Sequence, residues 1–216
     1  MKLSICLFTL ILCLFLLPLN SEAGGLGIFV PATFGNADFS GYSHEENHFG
    51  IGFLFDTNVA ENHIFHYRLN AGLEFFEHTY PEFVYDNTLM YYVESRTDAY
   101  ALMRIALDNT FGFAVLRTQV LRLWLGPQVR LGWILGDRSG VTLGAGLTLL
   151  GMNFNMGSVF TLSLEAGYRF AGNIYFDTVS DYSYDGTSWD SEGSINNEAY
   201  MKLSFIFRLG DIYERY

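Results

Sequence analysis

Cysteine and lysine are the two scarcities that narrow the reading first. Both cysteines, Cys6 and Cys13, lie in the opening apolar run, so residues 24–216 have no thiol for a disulfide, a nucleophile or a metal. Lysine occurs only as Lys2 and Lys202, and 12 basic residues against 23 acidic ones leave a net charge of −11. Nucleic acid is therefore not an expected partner, since a phosphate backbone calls for clustered cations. Beyond residue 23 no apolar run reaches the roughly 18 residues of a spanning helix. Charged residues of both signs make up only 16% of the chain.

The opening run differs from the rest. Lys2 precedes the apolar stretch Ile5 to Leu19, and Ser21-Glu22-Ala23 places small residues where a signal peptidase reads them. Residues 1–23 are expected to be a cleaved signal peptide, and 24–216 one domain. Cys13 sits too deep in the run, after the large Leu12, to be a lipidation site.

What is abundant is aromatic and small: 20 Phe, 14 Tyr and 22 Gly. The pattern is clearest between Val120 and Leu150. There Leu121, Leu123, Leu125, Pro127, Val129, Leu131 and Trp133 form one row, and Arg122, Trp124, Gly126, Gln128, Arg130 and Gly132 the other. After the turn residues Gly136 to Gly140, Val141, Leu143, Ala145, Leu147 and Leu149 alternate with Thr142, Gly144, Gly146 and Thr148. A period of two means strands, here a hairpin. One row is apolar along its full length, as a lipid-facing row must be, and the other mixes small residues with sparse charges, as suits a narrow interior.

The same alternation recurs. Leu26 to Phe34 and Phe49 to Phe55 read as strands one and two, with a polar loop from Asn36 to Asn47 and a short turn from Asp56 to Asn62. Phe65 to Phe75 is strand three, with His66, Arg68, Asn70, Gly72 and Glu74 inward. The acidic, aromatic segment Glu77 to Ser95 reads as an exposed loop with strand arms. Strand four places Asp98, Tyr100, Leu102 and Arg104 inward and ends at a turn signal, Asp108-Asn109-Thr110, which leaves Phe111 to Gln119 as an unusually apolar connection. Pro127 in strand five predicts a bulge. Asn153 to Ser158 reads as a turn, Phe160 to Phe170 as strand seven, Asp177 to Glu198 as a polar loop, and Met201 to Leu209 as strand eight. The expected fold is an all-β, up-and-down antiparallel transmembrane barrel of eight strands. An even strand count puts both termini on one side. The rival fold, a soluble sandwich or lipocalin-like barrel, would need the apolar rows to face a core.

Glu165-Ala166-Gly167-Tyr168-Arg169-Phe170 resembles the strand endings, and Leu203-Ser204-Phe205-Ile206-Phe207 the closing strand, of the small OmpA/OmpX/OmpW-like outer-membrane barrels. Asp211 to Tyr216 extend past that strand, where such barrels commonly stop on an aromatic residue. The resemblance implies the outer membrane of a diderm bacterium, with lipid as the surrounding partner.

The candidate site is the inner rows. Arg68, Glu74, Asp98, Arg104, Arg122, Arg130, Glu165, Arg169, Lys202 and Arg208 form an expected lumen charge network, either an anion path or a salt-bridged plug. The plug is preferred, because an eight-stranded interior is just wide enough for side chains to fill and uncompensated buried ions are costly. Tyr85, Tyr91, Tyr182, Tyr184 and Trp189 are expected surface-loop contacts for an extracellular ligand or protein, or members of an interfacial girdle. His44, Glu45, Glu46 and His48 could be drawn as a metal site, and His78 with Glu77 as a catalytic pair, but no spacing specifies either. No cofactor, metal or catalytic residue is assigned. An envelope or surface-binding role is the expectation. The alternatives are a narrow channel for small or hydrophobic solutes and a lipid-modifying enzyme.

Overall fold

The computed structural model describes residues 24–39, 42–59, 63–86, 91–136, 139–176 and 191–209, with the side chains of 39, 42, 78–86, 91–100, 191 and 192 left aside. The expected signal peptide and the stretch holding Tyr182, Tyr184 and Trp189 lie outside them.

Eight strands follow in order: β1 (Gly25–Phe39), β2 (Tyr42–Asp56), β3 (Phe65–Asp86), β4 (Tyr91–Arg117), β5 (Leu121–Gly136), β6 (Ser139–Met156), β7 (Phe160–Phe176) and β8 (Ser191–Arg208). Each pairs antiparallel with its sequence neighbours, and β8 pairs with β1 from Gly25↔Arg208 to Asp38↔Ile195, so the sheet closes into a barrel.

Four expectations change. Asn36 to Asn47 is mostly strand, because above the apolar band the outer row becomes polar, with Asn36, Asp38, Glu45 and Asn47 exposed, and the two-residue alternation fades while pairing continues. Asp108-Asn109-Thr110 is not a turn; β4 runs through to Arg117 with Asp108 inward against Arg130 and Asn109 outward. Asn153 to Ser158 is strand as far as Met156, and the chain reverses around Gly157, whose φ of +66° suits glycine. Residues 191–198, read as loop, begin β8. Near Pro127 the register shifts by one residue, with the extra residue on the facing strand β6, so that Leu149 and Leu150 both point outward.

The outside is apolar from strand to strand. Val30 and Ile51 are each 56% exposed, Leu203 45% and Phe205 54%, in a continuous band no water-soluble surface carries. Replacing Ile51 or Leu203 with arginine is expected to destabilise the barrel by about 2–4 kcal/mol if the position lies at mid-bilayer. The check is the urea midpoint of protein refolded in phospholipid vesicles, and an unchanged midpoint would mean the row does not face lipid.

Candidate functional site

Inside, alternation brings ions from six strands together. Arg68, Arg104, Arg122, Arg130, Arg169, Lys202 and Arg208 are buried with Glu46, Asp56, Glu74, Asp108, Glu165 and Glu198. Nine of the ten sequence-predicted network residues are in this set. Asp98 is not placed there: it pairs with Tyr80 on the β3–β4 hairpin, beyond the last β4–β5 pair at Leu102↔Gly136.

Two carboxylates are hubs. Glu74 meets Arg104 at 2.8 Å and Arg130 at 2.6 Å. Asp108 accepts from Arg130 at 2.6 Å and is ion-paired with Lys202 at 2.9 Å, with Arg169 at 3.6 Å. Glu198 pairs with Arg169, whose guanidinium also donates to Thr33 at 3.1 Å. Toward the termini, Arg68 donates to Asp56 at 2.7 Å and to Ser163 at 2.9 Å, and lies 4.8 Å from the Trp124 ring centre. Among the described residues no ion in the middle of the barrel stands alone, the condition for charge in a low-dielectric interior.

Besides Glu46, three acids of this set were left out of the expected network for one reason. Asp56, Asp108 and Glu198 sat in stretches assigned to turns or loops, although each is in phase with an inner row: Asp56 with Leu54, Asp108 with Arg104, Glu198 with Lys202. Carrying the alternation through those stretches would have found them. Glu46 and His48 from the considered metal group also point inward, whereas Glu45 points out. Glu46 accepts from Asn196 at 2.5 Å, and His48 lies 3.5 Å from Glu46. Among the described residues no group of three His, Cys, Asp or Glu is placed to hold a metal.

The ends are stopped differently. Toward the long hairpins, Phe76, Leu102, Ile134 and Tyr175 form a buried apolar layer. At the other end Asn58 and Val59, which follow β2, fold inward. Val59 is fully buried against Phe29, Leu54 and Ile206. Asn58 donates its backbone N–H to Asp56 at 2.9 Å, while the Arg122 guanidinium donates to the carbonyls of Asn58, of His63 at 3.1 Å and of Ile64 at 3.4 Å. Asn153 of β6 donates to the Val59 carbonyl at 3.3 Å.

Beyond the barrel, β3 and β4 continue as a two-stranded ribbon, paired from Glu77↔Ala101 to Asp86↔Tyr91 with a bulge at Glu82/Phe83. At about 3.3 Å per residue the ribbon rises about 30 Å. Tyr85 and Tyr91 stand near its tip, opposite Tyr92 and Asp86.

A closed antiparallel barrel, apolar outside and cross-linked by charge inside, is a transmembrane β-barrel. No family model matches the chain, and no curated protein matches it in sequence. Among solved structures it is similar to Neisserial surface protein A at 11% identity, covering 83% of this chain and 95% of that one with a TM-score of 0.42. It is also similar to the attachment invasion locus protein Ail of Yersinia pestis in complex with the heparin analogue sucrose octasulfate, at 13% identity over 86% of this chain and 99% of that one, TM-score 0.38. The outer membrane protein OprG from Pseudomonas aeruginosa aligns at 10% identity over 87% of this chain and 96% of that one, TM-score 0.48. These are likenesses of fold.

Proposed function

We propose that this chain is an outer-membrane protein that stabilises the envelope and binds partners through the surface it presents outside the cell, with a lumen that passes nothing. The observation that carries the reading is the filled interior. An apolar layer, an ion network and an inward turn stand one above another, and Ile134, Arg104, Arg68 and Val59 are all 0% exposed. Short turns on the side of the termini belong to the periplasm and long hairpins to the outside, which directs the β3–β4 ribbon away from the cell. The reading gives the inner charges no catalytic part: they are engaged with one another and shut away from substrate.

Refolded protein in planar bilayers is expected to give no steady unit current at moderate voltage. Steady currents would sink the sealed-lumen reading and favour a narrow channel.

A further inference from the structure

Followed from partner to partner around the sheet, the register climbs. From Gly27 on β1 the path runs through Arg130 on β5 and Asn196 on β8 and returns to β1 at Ala37, ten positions nearer the long-hairpin end. The strands are therefore tilted, and each step to the next strand gains about 3 Å of height. On this scale the outer rows of β1, β2 and β3 turn polar together, at Asn36, Asn47 and Glu77, all within about 3 Å of one level. That level marks the edge of the hydrocarbon.

On the other half of the barrel the apolar row does not stop there. Leu135 of β5, Val141 of β6, Ile174 of β7 and Ile195 of β8 stand above the level, and Phe176 stands about 8 Å above it. Ile174 is 43% exposed, Phe176 46% and Ile195 64%. An apolar ledge raised out of the hydrocarbon meets neither lipid tails nor a core, and an exposed patch of this kind marks an interaction surface. Just beneath the ledge the wall is notched. Gly172 pairs with Leu143 on one side and Ile195 on the other, and Ala145 pairs with Phe170, so two small residues lie diagonally among large ones. The hollow over them, about 360 Å³, is rimmed by Val129, Leu131, Leu143, Phe170 and Ile195.

We propose that the β5–β7 face, with Ile195 at its margin, docks a second copy of this chain side by side in the same membrane. Charge and height select this occupant. Among the described residues the outer rows of β5, β6 and β7 carry no charge, whereas the β1–β3 side has exposed Asp38, Glu45 and Glu77 at or just above the same level. Two copies meeting through the uncharged half keep their acidic halves apart. Copies inserted in one direction are related by a two-fold axis along the membrane normal, which sets ledge against ledge at one height. A lipid tail reaches the notch but not the ledge above it. Within the hydrocarbon, association is driven by close packing rather than by burial, as between membrane helices, and there small residues let two walls approach. The notch supplies that close approach, and the ledge adds apolar surface withdrawn from water.

The test uses the full chain, purified and refolded in phospholipid vesicles at high lipid dilution, with photoreactive p-benzoylphenylalanine in place of Phe170 at the notch rim or, as a control, of Phe49. Both positions are exposed and lie at one level, but Phe49 is on β2, in the acidic half. Illumination is expected to join two copies through position 170 and not through 49. The product is read as a band of doubled mass on a denaturing gel, and as a mixed band when tagged and untagged copies are refolded together. Gly172→Leu fills the notch, and Ile195→Arg sets like charges across the interface. Each is expected to fold, by heat-modifiable mobility, and to lower the yield from position 170 about tenfold. Equal yields from 170 and 49 would mean random collision. Lipid adducts alone at 170 would mean that tails cover this face, and an undiminished yield in both variants would mean that notch and ledge are not the contact. Any of the three overturns the proposal.

Discussion

Asp108→Asn is expected to cost the barrel about 3–5 kcal/mol, the usual penalty for removing one partner from a buried ion pair and leaving the other charged. The expectation rests on number as well as distance. Asp108 faces Arg130, Lys202 and Arg169; Arg130 also has Glu74 at 2.6 Å and Arg169 has Glu198, whereas Asp108 is the close carboxylate of Lys202. Lys202 would be left with Glu165 at 3.5 Å, and Arg169 with Glu198 alone among close carboxylates. Asparagine keeps the shape and loses the charge, so packing changes little. Urea unfolding of protein refolded in micelles, followed by the mobility shift on boiling, is the measurement. Adding Lys202→Met should return part of the lost stability, because the uncompensated cation is then gone, whereas salt should return little at a site this buried. A loss below about 1 kcal/mol for Asp108→Asn would place the site in solvent-exposed surroundings.

Gly151→Val should prevent folding under conditions in which Gly172→Val is tolerated. Gly151 of β6 lies opposite Trp124 of β5, and a Cβ there would stand 2.0 Å from the indole Cε2. The indole cannot step aside: Trp124 is 1% exposed, with the His66 ring edge-on at 4.5 Å and Arg68 over its face. Overpacking of this kind typically costs 1–3 kcal/mol and more where neighbours are pinned, about the range that abolishes a marginal fold. At Gly172 the nearest atoms to a new Cβ are 3.9 Å and 4.0 Å away on the outer wall. The two valine variants thus differ in which side of the wall they meet, and heat-modifiable gel mobility reads both. If both fold equally well, Trp124 is not the pinned filler described here.

The hairpin from Leu121 to Leu150 was legible in the sequence because lipid on one side and a narrow interior on the other hold its rows apart, and eight such strands could be counted. The reading weakened wherever one of those two media ended. Above the band the outer row meets water, so Asp38 and Glu45 look like loop residues while their backbone remains paired. Asn109 misled in another way. A polar residue in the lipid-facing row breaks the pattern unless its side chain is engaged, and here the Tyr67 hydroxyl donates to it. The two lie 42 positions apart in the chain, a relation that periodicity within one strand does not carry. The inner network was half legible: alternation reveals which residues point inward, but not that Glu74 binds arginines of both β4 and β5. That follows from register, and register follows from closure.

The inward turn at Val59 has a consequence for how the molecule is made. Its seat is assembled from Phe29 on the first strand, Leu54 on the second and Ile206 on the last, with Arg122 and Asn153 reaching it from the fifth and sixth. Until the final strand arrives the seat lacks a side, and once β8 joins β1 the turn is enclosed by the finished wall. A segment from the first third of the chain thus senses whether the last strand has docked, and a barrel stalled one strand short would reach the membrane with its inner stopper unseated.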